Sequence, residues 1–590
     1  MNKNKMINQK HMQVNGDQDL SDAKQYFLKI LGLNLKNIEA IKNLAFISLK
    51  QNNIHEAEIY LKKFLELNFD IVMLQNLFQV LLVQKKWSEI ISLGFQQIQL
   101  KKYNQHILKI YGVAFREQGF FDDAKNIFEK LISEFPYFIE GHITYGYTLN
   151  ANNNYKEAIK IFLKGISLNK NNFEINYNLG LAYNNLKEYP SAAKYLKKAS
   201  EINPNYFNLW MTLAETYNKI KEYHASDEAI SHCLRLDPKN HIIFLQYALI
   251  NKARGNIEQS EKLLIEALSI KPEDIEIHFQ MAIIKFMLGK YKEGLSFYKY
   301  RVIRNEKYGM FDDFELPKLY KNDYILVGFE QGIGDQLLFF RLMHEFLDKF
   351  NDVTYVCLDK TYTLFNNYFS QLKVIKESDY HKNIQKYTHG YKKINLGSIL
   401  NYITDIPQAL KKSKNLQSKN YQRKKIKEKI IIGLSWTSSN MKMEGYKNIK
   451  LSELLPLLDD QRANYYSIQY GDIRNELDAI NKTLKNKIIH NNKLDLYNNL
   501  DSAIELVSEC DLVITTSNLN AHLAGTLGIP TLLLTPFGYG RLWYWYESNK
   551  NSRSTWYKSV EFLKQDESYS WESAIVEAKK RISKLFNLNQ

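Results

Sequence analysis

Apolar and small residues in the first half of the chain recur in a fixed pattern, 34 positions apart. The set Leu179-Gly180, Tyr183, Ala192, Leu196, Ala199 and Pro204 returns as Leu213-Ala214, Tyr217, Ser226, Ile230, Cys233 and Pro238. It returns again as Tyr247-Ala248, Asn251, Ser260, Leu264, Ala267 and Pro272. Stepping backward gives Tyr145-Gly146, Leu149, Ala158, Phe162 and Gly165, then Tyr111-Gly112, Phe115, Ala124, Phe128, Leu131 and Pro136. The spacing predicts paired helices. Gly180 and Ala192 are small and let the two helices of a unit approach closely, while Tyr183 and Leu196 fill the space between units. Pro204 ends the second helix, because it has no N–H to donate and clashes with the preceding turn. One hairpin cannot bury its own apolar face, so the units are expected to stack into an α-solenoid.

This period resembles that of the tetratricopeptide (TPR) family. About eight units are expected over residues 38–308, with a half-repeat before them around Ala23, Phe27, Ile30 and Leu35. Units before residue 105 are degenerate. The last, with Gly294, Tyr298 and Arg301, is atypical in the way of a capping repeat. The superhelix is placed at 17–308, behind a polar tail at 1–16. Its concave groove would take an extended peptide or protein partner, with Asn176, Asn178, Asn184, Asn185 and Lys187 as candidate lining residues. The plainer alternative is that the array only packs against the second half.

After about residue 309 the period is lost. Short apolar runs alternate with helical stretches instead, at 324–329 (YILVGF), 353–358 (VTYVCL), 430–436 (IIIGLSW), 465–470 (YYSIQY), 511–516 (DLVITT) and 530–537 (PTLLLTPF). Helices are predicted over Asp335–Lys349, Leu451–Leu458 and Ala521–Leu527. Such alternation predicts parallel α/β units. The runs fall into two Rossmann-like lobes, at 320–410 and at 430–590 with a C-terminal helix, separated by a linker at 411–429.

Composition adds exclusions. With 590 residues, 45% of them hydrophobic, the chain can bury large cores without disulfide or metal staples. Its three cysteines, Cys233, Cys357 and Cys510, lie far apart, which excludes a disulfide framework and any multi-cysteine metal site. No run reaches the roughly 18 apolar residues of a membrane helix, and the N-terminus lacks the apolar core of a secretion signal. A cytoplasmic location without a membrane span is expected. The net charge of +15 invites a nucleic-acid reading, but nine Lys or Arg against one Glu lie within 411–429. Without aromatics at stacking spacing, that run reads as a solvated hinge, and no nucleic-acid partner is expected.

Four motifs sit where predicted strands end, the place where open α/β sheets bind ligands. The first is Gly328–Asp335 (GFEQGIGD). Gly332 and Gly334 permit a tight turn and close approach of a substrate, and Asp335 either caps the following helix or faces the cleft. The second is 432–440 (IGLSWTSSN) with Lys442 and Lys447, whose hydroxyls, amides and ammonium groups suit phosphate oxygens. The third is Ser467–Asp472, where Gln469 and Tyr470 either read a base or sugar edge or satisfy loop backbone. The fourth is Asp511–Gly528, a strand, a Ser517-Asn518 turn and a helix opening near Asn520–His522. The N–H groups and positive dipole end of that helix suit a diphosphate, and His522 adds a hydrogen bond or a charge. From Tyr320 onward no two Asp residues stand two apart, so a D-x-D metal clamp is absent and no metal is expected.

With 556–560 (WYKSV), these motifs resemble the TPR-containing glycosyltransferases related to bacterial heptosyltransferases. The specific motifs lie in 323–565, and with the repeats the resemblance covers nearly the whole chain. It implies two Rossmann lobes in the GT-B arrangement, with a nucleotide-sugar donor held by the C-terminal lobe. It implies Asp335 as general base toward the acceptor hydroxyl, His522 with Ser517 and Asn518 at the donor diphosphate and sugar, and Thr437, Ser438 and Lys447 as the phosphate loop. Heptosyltransferases carry Asp-Thr where this chain has Ser517-Asn518, the form of the TPR branch, and Leu519 and Asn520 depart from the Thr frequent there. The expected activity is metal-independent, inverting transfer of a sugar to a protein or glycan acceptor recruited by the repeats. The candidate donor-binding set is Gly332, Gly334, Thr437, Ser438, Lys447, Gln469, Tyr470, Ser517, Asn518, Asn520 and His522, with no cofactor besides the donor. The alternative is a non-catalytic TPR scaffold with a degenerate nucleotide-binding domain.

Overall fold

A computed structural model describes residues 17–304, 309–368, 372–387, 389–415, 429–438, 447–491, 494–546 and 552–588. The tail at 1–16, most of the basic linker, Asn440 and Lys442 lie outside these residues. The chain divides into two compact units, Met1–Pro238 and Lys239–Gln590.

Among its described residues the first unit is built of helices joined by short turns. Helix α1 (Asp17–Leu33) precedes six hairpins: α2 (Ile38–Lys50) with α3 (Ile54–Leu67), α4 (Ile71–Val83) with α5 (Trp87–Gln99), α6 (Gln105–Glu117) with α7 (Phe121–Glu134), α8 (Ile139–Ala151) with α9 (Tyr155–Leu168), α10 (Phe173–Asn185) with α11 (Tyr189–Ile202), and α12 (Phe207–Lys219) with α13 (Tyr223–Leu236). Close approach within hairpins depends on the small residues the pattern singled out. A β-carbon on Gly112, Gly146 or Gly180 would fall 2.7, 2.4 or 2.6 Å from Phe128, Phe162 or Leu196 of the paired helix. Helix α11 stops two residues before Pro204. Each hairpin turn also carries one residue with positive φ at the repeat spacing, among them Asn153, Lys187 and Lys221. Of the candidate groove residues, Asn176 is buried and its amide donates to Lys170 and Asn172 carbonyls. Asn184 donates to the Thr216 hydroxyl of the next unit. Both act in holding the repeats, and Asn176 is not available to a groove.

The second unit opens with two more hairpins, α14 (His241–Ala253) with α15 (Ile257–Ile270) and α16 (Ile275–Met287) with α17 (Tyr291–Tyr298), then the short α18 (Tyr300–Arg304). The helical hairpins thus fill about the first 300 residues, while this compact unit begins two hairpins before the period is lost. The reason lies in the packing. Phe286 meets Trp543 at 4.8 Å between ring centroids. Gly538 lies so close to the Ala253 carbonyl that a β-carbon would fall 1.9 Å from its oxygen.

Two parallel sheets follow. The first has order β3-β2-β1-β4, from β1 (Tyr324–Gly328), β2 (Asp352–Cys357), β3 (Lys373–Lys376) and β4 (Tyr391–Asn395). The second has order β6-β5-β7-β8-β9, from β5 (Ile430–Ser435), β6 (Ala463–Ser467), β7 (Leu512–Thr516), β8 (Thr531–Thr535) and β9 (Val560–Lys564). All six predicted runs contain strands. The three unpredicted strands, β3, β4 and β9, are all at sheet edges, where lysines and half-exposed faces replace a continuous apolar run. The helix predicted over Asp335–Lys349 is two helices, α19 (Ile333–Phe340) and α20 (Met343–Leu347), and Leu451–Leu457 is a 3-10 helix containing Pro456. Helix α21 (Leu519–Leu527) starts on the Asn518 cap and ends on Gly528 in the left-handed region. Among the described residues no helix is long and apolar enough to cross a membrane.

Candidate functional site

The site is assembled where β1, β5, β6 and β7 end. Its floor is a hydrogen-bonded hub. Gln469, two residues beyond β6, accepts at Oε1 from the Ser435 hydroxyl (2.9 Å) and from the Trp436 and Thr437 N–H groups (2.9 and 3.0 Å). Its Nε2 donates to the Tyr470 carbonyl. Asn518 Nδ2 donates to Ser435 Oγ (2.8 Å) and the Thr437 carbonyl (3.0 Å), while its Oδ1 accepts from the Asn520 N–H and the Thr515 hydroxyl. Asn520 Nδ2 donates to Ser435 Oγ and the Ile468 carbonyl. Ser435 Oγ therefore makes one donation and two acceptances, its full capacity. Gln469, Asn518 and Asn520 spend their amides on holding three strand-end loops together. Gln469 thus satisfies loop backbone, and it also lines the cavity beside Tyr470.

Above this floor stands His522, in the first turn of α21 and 4% exposed. Its Nδ1 is 2.9 Å from the Tyr557 hydroxyl. The rings of Trp545, Tyr544 and Tyr557 surround it at 4.9, 5.3 and 5.8 Å. Burial, with Lys447 nearby, pushes its pKa down to about 3. The imidazole is therefore neutral near pH 7 and offers a hydrogen bond rather than the positive charge considered from sequence. Ser517, just beneath, accepts from Trp545 Nε1 at 3.0 Å.

The glycine-rich turn faces this cage. Gly332 is the N-cap of α19, so Asp335 is the third residue of the helix rather than its cap. Gly334 lies against His522: a β-carbon there would fall 2.7 Å from His522 Cδ2 and 3.1 Å from Nε2. In this arrangement the glycine's bareness serves the meeting of α19 with α21. The half-buried Asp335 carboxylate accepts from the Tyr544 hydroxyl and the Gly332 N–H. Burial, with Glu330 beside it, outweighs these bonds and raises its pKa to about 6.

Lys447 completes the group. It is 4% exposed, and its ammonium has no hydrogen bond among the described residues. Burial lowers its pKa and the Asp335 charge opposes that shift. Thr437 and Ser438 are half-buried beside the hub, with the Ser438 N–H donating to Asn448 Oδ1. Tyr470 lines a cavity of about 520 Å³ beyond β6 that adjoins the hub at Gln469, with Asp472, Arg474, His490 and Tyr497. Among the described residues no group of three or more His, Cys, Asp or Glu is placed to hold a metal.

The structure thus brings Asp335, Gly334, Lys447, Ser517, Asn518, Asn520 and His522 to one place and leaves Tyr470 at its flank. Sequence reasoning missed Glu330, Tyr544, Trp545 and the contact of Tyr557 with His522. A visible signal was the unbroken aromatic run Trp543-Tyr544-Trp545-Tyr546, too dense for an ordinary surface loop.

Sequence comparison identifies the repeats. Residues 146–187 match the TPR repeat family, and residues 173–206 and 207–240 match the tetratricopeptide repeat family. Protein FlbA of Caulobacter vibrioides is 31% identical over 105 residues, which is 18% of this chain and 18% of that protein. A TPR protein from Parabacteroides merdae aligns at 16% identity over 42% of this chain and 98% of its own, with a TM-score of 0.33. The C-terminal part of a TPR repeat-containing protein from Cytophaga hutchinsonii aligns at 18% identity over 40% and 97%, with a TM-score of 0.34. YrrB, described as a TPR protein with an unusual peptide-binding site, aligns at 17% identity over 31% and 95%, with a TM-score of 0.28. Residues 146–240 are tetratricopeptide repeats.

Proposed function

We infer that the chain is a glycosyltransferase of GT-B architecture, moving a sugar from a nucleotide donor to an acceptor recruited by its TPR repeats. The observation that carries this reading is the company of Asp335. A buried lysine whose ammonium makes no hydrogen bond among the described residues, and a buried neutral histidine whose Nε2 makes none among them either, stand beside a carboxylate with a raised pKa. A buried cation that no hydrogen bond satisfies is costly. The cost is offset when an anionic group such as a diphosphate is bound. Lys447 would then neutralise the charge that develops on the leaving group, the neutral His522 would offer it a hydrogen bond, and Asp335 would take the proton of the attacking hydroxyl. The cavity beside Tyr470 falls within the size range of ligand pockets and suits the nucleoside end. TPR repeats point to a peptide or protein partner, which fits a protein acceptor.

The test is thermal stabilisation by a panel of nucleoside diphosphates and nucleotide sugars, followed by turnover. Stabilisation rises with ligand concentration over Kd. One nucleotide class is expected to stabilise the protein, and Lys447→Met to lose that effect. Asp335→Asn should keep binding while turnover falls by roughly 10²–10⁴-fold. If no nucleotide shifts the melting temperature, the reading fails and a scaffold role remains.

A further inference from the structure

The turn that carries Asp335 is held from outside the sheets. Gln331 has φ +58, a region in which residues other than glycine are uncommon. Its Nε2 donates to the Tyr298 hydroxyl and to Glu330 Oε1, both at 3.0 Å. Glu330 is 1% exposed. Arg301 grips it with both arms of the guanidinium, Nε to Oε1 at 3.2 Å and NH2 to Oε2 at 2.8 Å. The same guanidinium donates to Ser398 Oγ at 2.8 Å and to the Tyr298 carbonyl at 3.3 Å, and stands 3.9 Å from Asp313. Gly397 backs the carboxylate so closely that a β-carbon there would fall 2.2 Å from Glu330 Oε1. Tyr298 and Arg301 come from α17 and α18, the end of the helical repeats. A buried ion pair of this kind is weak evidence for stability and better evidence that one geometry is being specified. The strained backbone at Gln331 needs such surroundings to persist.

We propose that Tyr298 and Arg301 are positioning residues of the site: the last repeat hairpin holds turn 330–335 in the conformation that presents Asp335. The inference rests on the reading of Asp335 as the proton-accepting carboxylate. It makes the end of the repeat array a working part of the site, where an event on the last hairpins reaches Asp335 through two residues.

Hydrogen exchange on the full chain tests it. Tyr298→Phe keeps the ring and removes one hydroxyl, so folding is retained. Amides 330–335 are expected to exchange about five-fold faster, the loss of roughly one hydrogen bond, while those of β7 and α21 stay unchanged. In turnover, kcat falls by a similar factor with the donor KM unchanged. Arg301→Lys keeps the charge but loses the fork and acts in the same direction, more strongly. Unchanged exchange at 330–335, or a loss spread evenly over the unit, overturns the proposal. Faster local exchange in a chain whose wild type shows no turnover supports the hold on the turn and sinks the transferase reading instead.

Discussion

At the scale of single residues, Asp335 and His522 pull stability in opposite directions with pH. Asp335 has a folded pKa of about 6, above the ordinary carboxyl value. Folded protein therefore binds a proton more readily than unfolded protein, and stability falls as pH rises from about 4 through 6. Asp335→Asn removes this penalty and is expected to be more stable than wild type at pH 8 by about 1–3 kcal/mol, with the difference vanishing near pH 4, read by thermal melts across that range. His522 has a folded pKa of about 3, below its ordinary value, so it contributes stability that is lost as pH falls below about 6.5. Between pH 4 and 6 the two effects oppose, and single variants separate them. Tyr557→Phe deletes the bond to His522 Nδ1 and should cost about 1 kcal/mol, measured by chemical denaturation.

At the scale of elements, glycine and non-glycine positions can be exchanged to opposite effect. Gly180→Ala would drive a methyl group to 2.6 Å from Leu196 and should destabilise by about 1–3 kcal/mol. Lys187→Gly, seven residues on, relieves a left-handed lysine in the same hairpin and should stabilise by up to about 1 kcal/mol. In the site, Gly334→Ala pushes α19 away from His522. It is expected to lower the melting temperature and to abolish the shift produced by nucleotide. The hub around Ser435 explains the precision of the strand-end loops: three amide side chains, from the loops after β6 and β7, meet on one hydroxyl at the end of β5.

At the scale of the whole molecule, the compact units predict where the chain can be cut. A fragment of residues 239–590 keeps Arg301 with Glu330 and Phe286 with Trp543. It is expected to melt cooperatively. A fragment starting at residue 309 leaves Glu330 buried without its cation, a loss of about 3–5 kcal/mol, and should melt roughly 10 °C lower or fail to fold. Circular dichroism melts of the two fragments decide the matter.

Local regularities made the repeats and most strands legible. A 34-residue period reports neighbour packing that is the same in every unit, so residue type alone identified Gly146, Gly180 and Pro204. Continuous apolar runs likewise marked the central strands, buried on both faces, an aromatic run marked the edge strand β6, and the lysine-bearing edges β3, β4 and β9 were left unread. The four strand-end motifs were visible for the same reason, as polar turns closing apolar runs. Their division of labour was not. Gln469, Asn518 and Asn520 look like ligand groups in sequence, and only the fold shows their amides bonded to the Ser435 hydroxyl and to strand-end backbone. His522 could be charged or neutral until its burial among Trp545, Tyr544 and Tyr557 made it neutral. The dependence of Asp335's turn on Tyr298 and Arg301 was out of reach of any pattern, because those residues stand some thirty positions away on a different kind of element. Periodicity records contacts between neighbours in sequence; which buried charge meets which partner is settled only when distant segments are packed together.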